Sequence, residues 1–419
     1  MLLKNATYLN EEYAISRGNL LIHEGKIITN PSLSEGNASV EEMDCEGYIL
    51  IPGLYNAHFH GYSLTAQGLH RDMKIEEWCN DSKQGHLQSG YFEKIDALTR
   101  REYETICMKA YADMVKKGIT FVSESEPSNW PDAIAETINR IGMKGFVDTY
   151  EKIPEYHDLQ SGQVNFGTHL LEEEDITDEN LALCVSSKKD FDSLYTTHGM
   201  ENQWRKDLIY SQYGKSSIEL YKEQGLLDNK TIFFHGVHLN ETDIDLLAEA
   251  GSSVVHCPVS NLSTGAGIAP VSSMLEKGVN VCMGSDYAST DLWENMKIAY
   301  YLLKTMSPTH PFTAENIWQM ATQNGASAYH QNMSGRIKDG FHADLVFIKK
   351  NPLIPEVDTD EFSTTVHNLL LETSEPSIHH VMVNGEWIMF NRTLTHVDEE
   401  EMNRAYKKIL TKVYHQVVE

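Results

Sequence analysis

His58 and His60 close the run Ile51-Pro52-Gly53-Leu54-Tyr55-Asn56-Ala57-His58-Phe59-His60, which reads as a short buried strand. In a strand, residues i and i+2 face the same side, so two imidazoles can aim at one point. Two neutral imidazoles placed this way make half a site for a divalent transition metal. The pair alone is equally compatible with chance or with surface residues. Four further positions follow, each near the end of a candidate strand. They are His198-Gly199-Met200-Glu201 after Ser193 to Thr197, and His235-Gly236-Val237-His238 after Ile232-Phe233-Phe234. Then come His256-Cys257-Pro258-Val259-Ser260-Asn261 after Val254-Val255, and Gly284-Ser285-Asp286 after Val279 to Met283. Any one could be a structural histidine or a turn aspartate, but their joint placement is harder to explain that way.

The elements that must carry these residues alternate between strand and helix. Helical patterns run over Tyr103–Lys117 and Glu241–Ala250; strand patterns run over Gly118–Val122, Thr231–Phe234, Ser253–His256 and Val279–Met283. Such alternation over roughly 280 residues predicts a parallel α/β architecture, a barrel rather than an open sheet. In such barrels the carboxyl ends of the strands build the active site. Both chain ends are strand-rich instead. Leu20–Ile28 reads as a hairpin around Glu24-Gly25, and His380–Met389 as another around Asn384-Gly385. Ala343–Ile348 adds a strand, so the two ends are expected to form one small β domain. The expected division is 1–51 and 336–419 for that domain, with the barrel over 52–335. Asp398–Val418 reads as a surface helix, and Asp291-Leu292-Trp293-Glu294 as a helix start. The acidic run Glu172-Glu173-Glu174-Asp175 reads as a solvated loop.

Composition narrows the classes. The 419 residues suffice for a large core, and 41% hydrophobic with 9% aromatic content argues against disorder. Acidic residues number 61 against 34 basic, a formal charge of −27 that disfavours nucleic acid and anionic membranes as partners. The six cysteines at 45, 79, 107, 184, 257 and 282 contain no C-x-x-C pair and suit a reducing compartment. With no run of 18 apolar residues and no signal-peptide pattern at the start, a soluble cytoplasmic protein is expected.

At this point the chain resembles the amidohydrolase superfamily, in its deaminase and chlorohydrolase branch, with cytosine, guanine and S-adenosylhomocysteine deaminases. The resemblance rests on P-G-x-x-N-x-H-x-H at Pro52–His60, Gly118-Ile119-Thr120, and His235-Gly236-Val237-His238-Leu239. It rests also on His256-Cys257-Pro258-x-Ser260-Asn261 with Gly267 and Pro270, and on Gly340-Phe341-His342-Ala343-Asp344-Leu345-Val346. It covers nearly the whole chain. It implies a distorted (β/α)₈ barrel with a small β-sandwich domain formed from both chain ends. It further implies one divalent metal ion, zinc or alternatively iron, held by His58, His60, His198 and Asp286. Two-metal relatives use a carbamylated lysine, and no lysine stands at a suitable strand end; Lys144 falls in a helix-to-strand turn.

The activity implied is hydrolytic removal of an amino group as ammonia from an amino-substituted heterocycle (purine, pyrimidine or related) or an amidine-like carbon. Asp286 would accept a proton from water, His235 would hold the nucleophile, and Glu201 would protonate a ring nitrogen beside the attacked carbon. Alternatives are expulsion of chloride or alkylamine, opening of a cyclic amide, or an inactive binding relative. His238, His256, Arg71 and Trp78 are further candidates for substrate contact. The chain departs from its relatives in two places. A P-H-A-P-Y-T-like loop is missing before His198, where His169 is the nearest substitute, and Tyr287 follows Asp286 where relatives commonly have Gly. The implied partner is a small molecule, and a homodimer is the family analogy.

Overall fold

The computed structural model describes residues 1–31, 40–125, 130–150, 153–156, 159, 161–306, 312–359 and 362–415. The apolar runs of the central chain become eight parallel strands: β1 (Leu54–Phe59), β2 (Ile119–Glu124), β3 (Lys144–Asp148), β4 (Val164–His169), β5 (Tyr195–Gly199), β6 (Thr231–His235), β7 (Ser253–His256) and β8 (Asn280–Met283). They are hydrogen-bonded in chain order. β1, β2, β3, β5, β6 and β7 are buried at every residue, which is why they read as continuous apolar stretches rather than alternating ones. The ring closes where Phe59 bridges Asp286 in parallel register and the Asp286 amide donates to the His58 carbonyl at 3.0 Å. Asn56 strengthens this seam, donating to Ser285 Oγ at 2.8 Å and accepting from the Ser285 amide at 2.9 Å.

Rings fill the barrel interior. Tyr55 stacks on Phe121 with centroids 4.6 Å apart, and the buried Tyr329 packs on Phe121 and Phe146 while donating to the Ala57 carbonyl. The outer helices follow their end signals. The helix expected from Tyr103 starts earlier, at Arg100, because Thr99 and Glu102 form a capping box there. Glu241–Ala250 has the expected bounds, set by Asn240 at one end and by Gly251 in the left-handed region at the other. Asp291 Oδ1 accepts from the Glu294 amide at 3.1 Å, as a helix-start residue should.

The chain ends build a separate nine-stranded mixed sheet. Its junction is the antiparallel pairing of Leu345–Lys349 with Tyr48–Pro52, and Leu3, Leu20, Leu50, Leu345, Phe347 and Met382 form its core. Both expected hairpins are present, with pairs His23↔Lys26 and Val383↔Glu386. Their tips touch: a Cβ on Gly25 would lie 2.7 Å from the Asn384 carbonyl oxygen, so glycine is needed for approach as well as for its φ of +74°. Lys144 is the first residue of β3, and its ammonium donates to Asp344 Oδ2 at 2.7 Å and Ser334 Oγ at 3.0 Å, clamping barrel to sheet. The last helix spans Glu399–His415; the part of its expected range at 416–418 lies outside the described residues. Among the described residues no helix is long and apolar enough to cross a membrane.

Candidate metal and active site

The carboxyl ends of β1, β5, β6 and β8 bring the chemically capable residues together. His58 Nε2 and His60 Nε2 both face Asp286 Oδ1, at 3.1 and 3.3 Å. Ring nitrogens of His58, His198 and His235 also lie within 4.8 Å of one another. All five side chains are buried. Two of them are aimed by uncommon backbone: His235 and Asp286 sit at φ of +70° and +60°. That conformation costs non-glycine residues on the order of 1–3 kcal/mol and concentrates at functional sites.

The hydrogen bonds on the far ring nitrogens decide which nitrogen faces the centre. His58 Nδ1 meets Ser125 Oγ at 3.1 Å, His198 Nδ1 meets Glu172 Oε1 at 2.6 Å, and His235 Nδ1 meets Asn261 Oδ1 at 2.8 Å. In each case Nε2 is left for the centre. His235 Nε2 is buried without a hydrogen-bond partner, 3.9 Å from both Glu201 Oε1 and Asp286 Oδ2. Burial pulls the His58 pKa well below its ordinary value, which keeps the ring neutral. Burial opposes ionisation of Asp286, but the His58 and His60 rings beside it hold its carboxyl well below the usual range. Imidazoles and an ionised carboxylate, buried and converging, fit a divalent cation such as zinc, which takes such rings in their neutral form. Lys144, anchored on Asp344, is not available to bridge a second ion.

A cavity of about 430 Å³ opens over this centre. Arg71, Trp78 and Tyr287 line it, as do Glu201, His235 and Asp286. On one flank the rings of His70 and Trp78 approach to 4.0 Å, and both contact Tyr287, at 5.1 and 5.4 Å. Tyr287 therefore extends an aromatic wall at the position where relatives were expected to have glycine. His169, His238 and His256 stand outside the lining. In place of the expected substrate contact, His238 Nε2 donates to the Ala266 carbonyl at 3.0 Å. His169 Nδ1 binds Asp148 Oδ2 at 2.8 Å while its ring stacks on Tyr150. Burial lowers the His169 pKa, but Asp148 and Glu172 outweigh it and carry the value to about 10, so this ring is a cation. His256 is buried, and burial depresses its pKa to about 3.

The acidic run is the clearest correction to the sequence reading. Of Glu172-Glu173-Glu174-Asp175, Glu174 and Asp175 are exposed as expected, but Glu172 and Glu173 are drawn inward. Glu173 is 1% exposed and accepts from the Met200 amide at 2.7 Å and from Ser217 Oγ at 2.6 Å. Glu172 carries His198 and joins Arg205; Glu174 Oε1 meets Arg205 Nη2 at 2.6 Å. Arg205 Nη1 also donates to Glu201 Oε2 at 2.7 Å. The Glu201–Arg205 spacing of four residues was a signal in the sequence; the Glu172–Arg205 pairing, 33 residues apart, had none. Sequence reasoning also missed Glu124. Its buried carboxylate accepts from the Gly61 amide at 2.5 Å and from Tyr111 at 2.9 Å, fixing the turn after His60, and burial raises its pKa to about 7.

Known proteins agree with this picture. A 5-methylthioadenosine/S-adenosylhomocysteine deaminase of Pyrococcus horikoshii is 28% identical over 430 residues, covering 96% of this chain and 97% of its own length. A 5'-deoxyadenosine deaminase of Methanosarcina mazei is 26% identical, with 99% of each chain covered. An adenosine deaminase of Xanthomonas campestris, crystallised with bound zinc, superposes with a TM-score of 0.87 at 20% identity, over 99% of this chain and 98% of that one, and shares its fold. The sequence model of the Amidohydrolase family matches residues 49–388. That span takes in His58 on β1 and the adjoining His60, the whole barrel and the strands that return to the terminal sheet: the chain belongs to the Amidohydrolase family.

Proposed function

We propose that this protein is a metal-dependent hydrolytic deaminase that replaces a ring amino group of an amino-substituted heterocycle by oxygen and releases ammonia. The names of the relatives favour adenine nucleosides as the substrate class. The observation that carries the reading is the meeting of Glu201 Oε1, His235 Nε2 and Asp286 Oδ2 above His58, His60 and His198 in one pocket. His58, His60, His198 and Asp286 would hold the ion, and zinc suits three imidazoles and one carboxylate. Such an ion supplies the Lewis acidity that makes water nucleophilic near neutral pH.

The chain's own residues do the rest. His235, oriented by Asn261, accepts a hydrogen bond from the attacking water through Nε2. Asp286 takes the proton at Oδ2, 3.9 Å from that nitrogen. Glu201 delivers a proton to the ring nitrogen beside the attacked carbon, so that carbon becomes electrophilic. The proton held by Asp286 then leaves with the amino group as ammonia, and the hydroxyl proton left on the new C–O group is given up as the carbonyl forms, which restores the proton of Glu201. The aromatic wall of His70, Trp78 and Tyr287 suits a planar ring. We place the division of the chain at 1–51, 52–335 and 336–419, and the protein in the cytoplasm; all six cysteines are free, which fits a reducing compartment.

The test is ammonia release by zinc-loaded protein from adenosine, methylthioadenosine, S-adenosylhomocysteine, guanine and cytosine, alongside chloride release from a chlorotriazine. One mole of ammonia per mole of ring converted is expected with an adenine nucleoside. Chloride release with no ammonia from any amino-heterocycle would overturn the reading.

A further inference from the structure

Three of the four histidines at the centre, His58, His198 and His235, are not held alike. His58 leans on a serine hydroxyl and His235 on an asparagine carbonyl, but His198 leans on a carboxylate at 2.6 Å. We infer that Glu172 is a positioning residue for His198 and that Arg205 ties it to Glu201, so that a metal ligand and the proton carrier are set as one unit. This rests on the metal-centre reading above.

The placement of Glu172 is built, not incidental. The Leu170 amide donates to the Thr196 carbonyl at 2.8 Å, and Tyr221 donates to the Leu171 carbonyl. Glu173 is pegged by the amide of Met200, the residue between His198-Gly199 and Glu201. The segment before Glu172 and the residue after it are therefore fastened to β5, to Met200 beyond it and to the helix Ser217–Glu223 that carries Tyr221. From there Glu172 reaches His198 with Oε1 and Arg205 with Oε2. A carboxylate accepting from Nδ1–H fixes the imidazole tautomer and ring angle and makes Nε2 a stronger donor to an ion. Arg205 is 7% exposed and presents one nitrogen to Glu172 and Glu174 and another to Glu201. A guanidinium is a rigid planar fork, so carboxylates on its two nitrogens are fixed relative to each other. Glu201 Oε2 is occupied by this fork, which leaves Oε1 directed to His235 and the cavity.

A role confined to holding the loop would leave metal affinity unchanged. The experiment strips metal from the full-length chain and titrates zinc against a chromophoric chelator, with far-UV circular dichroism of each metal-free variant as the folding control. Wild type should bind one zinc per chain. Glu172→Ala should bind it about 10- to 100-fold more weakly, and Glu172→Gln about tenfold more weakly, since its amide keeps the shape without the charge. Arg205→Met should weaken zinc binding severalfold, because Glu172 loses its anchor, and should also lower kcat with KM little changed; Arg205→Lys should recover part of both losses. Should Glu172→Ala not fold, Glu172→Gln decides. Wild-type zinc affinity in the folded glutamate variants overturns the inference while leaving the metal centre standing. So does a second zinc equivalent that His169→Ala abolishes, because Glu172 would then be a ligand. A wild-type protein that binds no zinc overturns the metal-centre reading itself.

Discussion

Arg205 and Lys144 are both buried cations held by carboxylates, at opposite ends of the same barrel. Lys144 begins β3 and meets Asp344; the two side chains are 5% and 2% exposed. The other Asp344 oxygen accepts from the Asn384 amide at 2.9 Å, so every contact of the pair ends in the scaffold. Arg205 lies beyond β5, at the open end. Its carboxylates continue instead to His198, through Glu172, and to the cavity, through Glu201. The chemistry of the two pairs is alike, and the difference is where the second carboxylate oxygen points. A buried pair whose partners are all satisfied by backbone and hydroxyls holds a fold together. One whose partners also reach imidazoles and a pocket shapes a reaction.

Substitutions should therefore separate chemistry from stability at the two ends. At the open end, Glu201→Gln keeps volume and can still accept from Arg205, but cannot deliver a proton. Its kcat should fall about 10²- to 10⁴-fold, while bound zinc and the thermal midpoint stay near wild type. Steady-state kinetics with metal analysis checks this, and turnover like that of wild type would remove Glu201 from the mechanism. At the closed end, Lys144→Met leaves Asp344 as an uncompensated buried charge and should cost about 3–5 kcal/mol in urea unfolding, with kcat per folded molecule unchanged. Lys144→Met combined with Asp344→Leu should recover much of that stability. A kcat loss in Lys144→Met that matches Glu201→Gln would break the distinction between the two ends.

What could be read from the sequence was local. The hairpin turns at Glu24-Gly25 and Asn384-Gly385 carry positive φ at all four residues, the combination that tight hairpins demand of such dipeptides. The H-x-H strand was legible because a period of two settles its geometry without any partner. The helix start at Asp291 was legible because its capping bond spans three residues. Within the acidic run, Glu172 and Glu173 were misread because their burial depends on Arg205, His198, Met200 and Ser217, none of them within 25 residues. Nothing near Lys144 announces Asp344, 200 residues away. The histidines divide on the same ground. His58 and His60 were placed by strand period, whereas the hydrogen-bond partners Asp148 of His169 and Ala266 of His238 lie 21 and 28 residues off.

Histidines also give the comparison its mildest test, through acid. His380 lies in the terminal sheet, 1% exposed, ringed by Tyr48, Phe347, Trp387 and Phe390. Its Nδ1 accepts from the Asn391 amide at 3.2 Å, which requires the neutral ring, and burial lowers its pKa to about 4. In the unfolded chain the same ring titrates near 6.5. Between those two values the unfolded state binds the extra proton, so stability rises with pH across this window. The contribution of the neutral ring is complete above about pH 6.5 and is lost as pH falls through about 4, at most roughly 3 kcal/mol for this one group. His380→Phe removes that titration, at a cost of about 1 kcal/mol near pH 7 from the unpaired Asn391 amide. Urea unfolding of both proteins at equal zinc loading, from pH 7.5 down to 4.5, should therefore give the variant the shallower acid slope. Equal slopes would mean that the acid sensitivity resides in the barrel site, and that the terminal sheet is indifferent to the charge of its buried histidine.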